Sequence, residues 1–168
     1  MKKIVYSLAA MASLAVVSAD AKSFLSFGYG SLSGDAVDSD TVYVESGIRF
    51  GEDIKQRVGF RYSYMIDSDY SKSGTLGGVI DMYYKIGYEV YKNVVMSATL
   101  GYAFEDVASR GDDTVLATGL VYGADVAYNI NKTFDIGLEY RKYDLSYDLL
   151  GEHDYEYDAI SAYIGLRF

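Results

Sequence analysis

From Lys22 to Phe168 the apolar residues of this chain recur at every second position. A period of two belongs to extended backbone, whose side chains point alternately to opposite faces; a helix repeats every 3.6 residues. Around 94–105, Val94, Met96, Ala98, Leu100, Tyr102 and Phe104 share one face, while Ser97, Thr99, Gly101, Ala103 and Glu105 share the other. The same alternation predicts eight strands, over 23–32, 41–50, 57–66, 76–90, 94–105, 115–129, 133–143 and 157–168. Their connections alternate in length. Those around Glu52–Gln56, Tyr91–Asn93 and Ile130–Lys132 are short, and those around Gly34–Asp40, Asp67–Thr75, Asp106–Thr114 and Asp144–Glu156 are longer and more polar.

A soluble sheet with one wet face also alternates, so the make-up of the two faces decides. The polar face mixes Gly and Ser with charges of both signs, as the crowded interior of a narrow barrel requires. The apolar face is nearly free of charge, as contact with lipid demands, since a charge at mid-bilayer costs a few kcal/mol. A soluble ligand-carrying barrel would reverse this arrangement. The 17 glycines are many for strands and point to tight packing inside a small barrel. The fold expected is all-β: an eight-stranded antiparallel up-and-down transmembrane barrel, with strands long enough for the 9–11 residues a crossing needs.

The first 21 residues stand apart. Lys2 and Lys3 precede an apolar run from Ile4 to Val17, followed by small residues. This is the pattern of a secretory signal peptide, cleaved after Ala19 or Ala21, and the run is shorter than a spanning helix needs. The expected domains are therefore 1–21 as signal and 22–168 as barrel. Losing two lysines and one aspartate with the signal moves the net charge from −9 to −10, which argues against nucleic acid as a partner. With no cysteine in the chain, disulfides and thiolate metal sites are excluded.

Outward aromatics cluster at two heights. Phe50, Tyr88, Tyr128, Phe134 and Phe168 fall at the short-turn rim; Tyr29, Tyr64, Tyr102, Phe104, Tyr122 and Tyr140 fall nearer the long loops. Two aromatic girdles mark the two interfaces of a membrane barrel. The last strand places Ile160, Ala162, Ile164, Leu166 and the terminal Phe168 on one face. Here the chain resembles the outer-membrane β-barrel proteins of Gram-negative bacteria, in particular the small OmpA/OmpX-like and opacity-protein-like barrels. The resemblance implies that these five residues form the signal read by the barrel-assembly machinery. It also implies long acidic loops outside the cell and short turns in the periplasm; unlike OmpA, the chain is expected to hold a barrel with no peptidoglycan-binding domain.

Some barrels of this size modify lipids, which takes a nucleophile, a base and an orienting acid. The one histidine, His153, lies in Gly151-Glu-His-Asp154, and Ser146 and Ser161 are near it in sequence. Neither serine sits in a nucleophile motif, and no lipid A deacylase or palmitoyltransferase pattern occurs. No enzymatic activity and no cofactor are expected. Over Gly34–Asp40, Asp67–Thr75, Glu105–Thr114 and Asp144–Asp158 there are fifteen Asp and Glu against Lys72 and Arg110. Asp112-Asp113 or Asp154–Asp158 could offer oxygens to calcium, yet no segment matches an EF-hand loop, so no metal site is assigned.

The inward charges are the main candidate constellation: Glu45, Arg49, Arg57, Arg61, Asp81, Lys85, Glu89, Glu105, Asp125, Asp135, Glu139, Arg141 and Arg167. A register closing on the turn near Asp53 sets Glu45 opposite Arg61. Buried charges must find partners, so a network of ion pairs closing the lumen is expected, with a selective channel as the alternative. The function expected is a structural or surface-recognition role, in contact with outer-membrane lipid, lipopolysaccharide and a host or envelope surface. A small passive pore or gated channel for ions or small solutes is the second reading.

Overall fold

A computed structural model describes residues 22–34, 38–68, 78–108, 114–148 and 152–168. The expected signal peptide and the tips of the four long connections, including Asp112 and Asp113, lie outside the described residues. Eight strands follow in order: β1 (Lys22–Gly34), β2 (Asp38–Phe50), β3 (Ile54–Ser68), β4 (Gly78–Tyr91), β5 (Val94–Ala108), β6 (Thr114–Asn129), β7 (Phe134–Asp148) and β8 (Glu152–Arg167). Each pairs antiparallel with its sequence neighbours, and β1 pairs with β8 to close the barrel. Closure leaves no unpaired edge, which a membrane requires because lipid offers backbone groups no hydrogen bonds.

Three short connections share one rim. Gly51 takes φ 83° at the turn after β2, and Asn93 takes φ 66° between β4 and β5. Both conformations are left-handed, where Gly and Asn carry the least steric cost. After β6, the Asn131 side-chain oxygen accepts the backbone N–H groups of Thr133 at 2.7 Å and Phe134 at 2.9 Å.

The expected faces are in place. Val58, Ile86, Leu100, Leu120, Leu138 and Ile160 point outward and are exposed. On β5 the outward apolar run extends from Val94 to Phe104, about the 9–11 residues that cross a bilayer. Tyrosine hydroxyls mark its limits. Tyr29 donates to Asp40 at 2.6 Å, Tyr140 to Asp158 at 2.6 Å and Tyr102 to Thr118 at 3.1 Å. Each acceptor stands two residues nearer the long-loop rim than the position paired with the tyrosine. Tyr84 instead donates toward the short-turn rim, to Gln56 at 2.6 Å. At both ends the ring stays with the apolar band and the hydroxyl leaves it, as amphipathic rings do at an interface.

Several strands run longer than expected, including β2, β3 and β5, and the largest change is at β7 and β8. The polar stretch Asp144–Glu156 is expected as a long connection. Instead β7 and β8 continue pairing as far as Asp148 and Glu152. The alternation persists there: Tyr143, Leu145 and Tyr157 turn inward and are buried, while Asp144, Asp154 and Glu156 are exposed. Acidic residues on the wet face of a strand look like loop residues when only their charge is counted.

Candidate functional site

The lumen has three layers. Its middle layer gathers seven of the inward charges. Arg61 bonds Glu45 at 2.7 Å and also reaches Glu139; Lys85 bonds Glu139 at 2.9 Å and Asp125 at 3.0 Å. Arg141 bonds Glu45 at 3.1 Å, Asp81 at 3.0 Å and Glu139 at 3.0 Å. All seven side chains are buried. The register places Glu45 directly opposite Arg61 on the neighbouring strand, whereas Arg141 reaches Asp81 and Glu45 across the barrel. Three cations meet four carboxylates. Tyr143 donates to Asp81 at 2.7 Å and Tyr163 to Asp125 at 3.0 Å, adding neutral donors where cations are in the minority.

Aromatic rings complete this layer. The Arg61 guanidinium lies 3.7 Å from the centroid of Tyr43, and that of Arg141 lies 4.6 Å from the centroid of Tyr83, distances at which a cation is drawn to the ring face. Room for the rings comes from glycine. Tyr43 and Tyr163 both pair with Gly28, and Tyr163 also pairs with Gly137. A Cβ on Gly28 would clash with the Tyr43 ring, and one on Gly137 with the Tyr163 ring. Glycine in these strands is therefore a seat for a tyrosine on the adjacent strand.

Above this layer, toward the long-loop rim, the interior turns apolar. Leu32, Met65, Val79, Val121 and Leu145 are buried together with Tyr143 and Tyr157. Tyr143 stacks on Tyr157 at 4.7 Å, and Tyr155 lies over Tyr157 at 6.2 Å. Glu105 is the inward charge of this layer. It accepts hydrogen bonds from Tyr155 at 3.0 Å and Tyr157 at 3.1 Å, and no ion pair reaches it among the described residues. Here the polar lumen expected from the inward Gly, Ser and charges gives way to apolar side chains. Beyond the lipid band water surrounds the barrel, and the ordinary rule of apolar inside and polar outside returns.

Below the middle layer, toward the short turns, Arg49, Arg57, Glu89 and Arg167 line an open vestibule, with buried Asp135 beside two of them. Asp135 lies 3.5 Å from Arg57 and 3.4 Å from Arg167. Arg167 is also held by Asn129 at 2.6 Å and the Phe134 carbonyl at 2.9 Å. Glu89 stands exposed at the rim, where it accepts the Asn93 backbone N–H at 3.0 Å. Arg49 joins the same wall. Of the thirteen inward charges, seven thus form one network, Glu105 stands alone above it, and the other five surround the vestibule.

The tyrosines were the part that charge-counting missed. Tyr143, Tyr155, Tyr157 and Tyr163 hold lumen carboxylates but were not assigned inward from the sequence. The signal was parity: Tyr143 shares its face with Arg141, and the other three share theirs with Arg167. On β8, Ile160, Ala162, Ile164 and Phe168 face outward and are exposed, with Leu166 partly so, and the Phe168 N–H bonds the Ser23 carbonyl at 3.0 Å. Ser161 is buried in the lumen. The His153 side chain lies outside the described residues. Among the described residues no three His, Cys, Asp or Glu side chains converge as a metal site would need; Glu156 is paired with Lys142 and Asp158 with Tyr140.

Known structures share this architecture at low sequence identity. Neisserial surface protein A is 13% identical with a TM-score of 0.53, covering 89% of this chain and 98% of its own. The N-terminal β-barrel domain of OprF from Pseudomonas aeruginosa is 14% identical with a TM-score of 0.57 and the same coverages. Ail, the attachment invasion locus protein of Yersinia pestis, is 16% identical with a TM-score of 0.51, covering 88% and 97%. Such distant likenesses show the fold. No curated protein matches the sequence. The family model described as the outer membrane protein beta-barrel domain matches residues 5–168, and this chain is a member of that outer-membrane family.

Proposed function

We propose that this protein is a non-catalytic outer-membrane barrel that works through the surface it projects beyond the bilayer, in a recognition or envelope-contact role. The observation that carries this reading is the closed middle layer. Ion pairs spanning Arg61, Lys85 and Arg141 fill an interior that eight strands leave just wide enough for side chains, so the lumen is a support and not a conduit. The projecting end supplies the surface. There the β7–β8 hairpin extends above the tyrosine girdle with Asp144, Asp154 and Glu156 exposed, in line with the acidic long connections around it.

In this reading the signal peptide directs Sec-type export and the outward face of β8 is read by the assembly machinery. The long-loop end then meets lipopolysaccharide or a neighbouring surface. A second reading, a gated channel, draws on the open vestibule that reaches the middle layer from one side. Planar-bilayer recording separates the two. Purified protein is expected to give no stable conductance, while cells displaying Asp144→Asn, Asp154→Asn and Glu156→Gln together lose surface binding. Steady single-channel currents from the unaltered protein would replace the first reading with the second.

A further inference from the structure

The vestibule at the short-turn end has a volume of about 1230 Å3. Its walls carry seven lysine and arginine side chains and two glutamates, in a chain whose net charge is −9. Nearly half of all the cations are thus gathered in one concave place, against the overall balance.

Four of them form a continuous row. The register sets Lys22 opposite Arg49, Arg49 opposite Arg57, and Arg57 opposite Lys85. Like charges facing one another across antiparallel strands are destabilising, so the row calls for counter-charge. Lys85 has it in Glu139 and Asp125. Arg57 has it weakly, through an Asp135 that it shares with Arg167. Arg49 has no ion pair among the described residues. Its Nε is buried without an acceptor, and the residues facing it on both neighbouring strands, Lys22 and Arg57, are cations.

A buried guanidinium N–H left without an acceptor is costly. The planar fork of arginine matches the oxygens of phosphate in paired hydrogen bonds. We propose that the vestibule is a binding site for a small soluble polyanion bearing phosphate groups, seated on Arg49 and Arg57 with Lys22 at its open side. The site is blind, because Lys85 and the ion-pair layer form its floor. The anion enters and leaves by the short-turn rim. This goes beyond the surface role and does not depend on it.

Isothermal titration of inorganic pyrophosphate into the folded protein tests the site, in a neutral glycoside detergent at constant ionic strength. One saturable binding event is expected. Arg49→Gln should weaken it about tenfold or more, since a hydrogen bond to a charged group is worth roughly 1.5–3 kcal/mol. Lys92→Gln makes the same charge change in a turn on the same rim but outside the vestibule, and should leave the affinity within about twofold, the residue of screened long-range charge. Folding of each variant is verified by heat-modified gel mobility. A second measurement guards against misfolding: pyrophosphate should raise the unfolding midpoint of the unaltered protein. A parallel titration with dihexanoylphosphatidylglycerol separates a soluble phosphate from a lipid headgroup. Absence of saturable heat, equal weakening by the two variants, or a response to the lipid alone would each overturn the proposal.

Discussion

The two upper layers of this barrel obey the same alternation and give it opposite meanings. In the lipid band Leu100 and Leu138 face out while Arg61, Lys85 and Arg141 face in. Above the tyrosine girdle Asp144 and Glu156 face out while Leu145 and Tyr157 face in. No bulge or break in β7 or β8 separates the zones; both strands run straight through. What differs is the medium outside. Hydrocarbon selects apolar outer faces and leaves the polar residues to satisfy one another in the lumen, whereas water selects the reverse. A single strand can therefore be a membrane strand at one end and a soluble-barrel strand at the other.

The comparison breaks first where the lumen is charged. Arg141→Met leaves Glu45, Asp81 and Glu139 short of a buried cation, and losing one partner of such a network costs about 3–5 kcal/mol. Urea unfolding in phosphatidylcholine vesicles, followed by tyrosine fluorescence because the chain has no tryptophan, should show a loss of that size. A change below about 1 kcal/mol would mean that water already solvates the middle layer.

The outer faces provide the next contrast. Leu100→Arg, at the centre of the apolar run, is expected to cost about 2–4 kcal/mol. Asp144→Arg, outward on the projecting hairpin, should stay within about 0.5 kcal/mol, as exposed surface changes do. Equal effects in the same unfolding assay would place the bilayer boundary elsewhere. The smallest effect belongs to the boundary itself. Tyr140→Phe removes the hydroxyl bonded to Asp158 and should cost about 1 kcal/mol or less. The same urea unfolding assay reads this loss.

The expected and observed lumen differ in an instructive way. Glu45 and Arg61 could be matched in advance because they flank a short turn and pairing across it is local. The contacts of Arg141 with Asp81 and Glu45 could not, since they span the barrel and depend on how the sheet closes. Tyr155 and Tyr157 were hidden among acidic neighbours, and composition outweighed parity in that stretch. Arg49 was counted among charges expected to pair. Its lack of a partner emerges only when Arg57 and Arg167 are seen competing for Asp135.

By itself the sequence determined the all-β class, the eight strands, the lipid-facing side of each and the two girdles. These follow from short-range rules: side chains alternate along any extended backbone, and the bilayer demands one apolar face. Only the tertiary structure decided which charges meet across the lumen, where the interior turns apolar, and that an unbalanced row of cations faces an open vestibule. Each of those depends on closing β1 onto β8, which brings residues far apart in the chain within bonding distance.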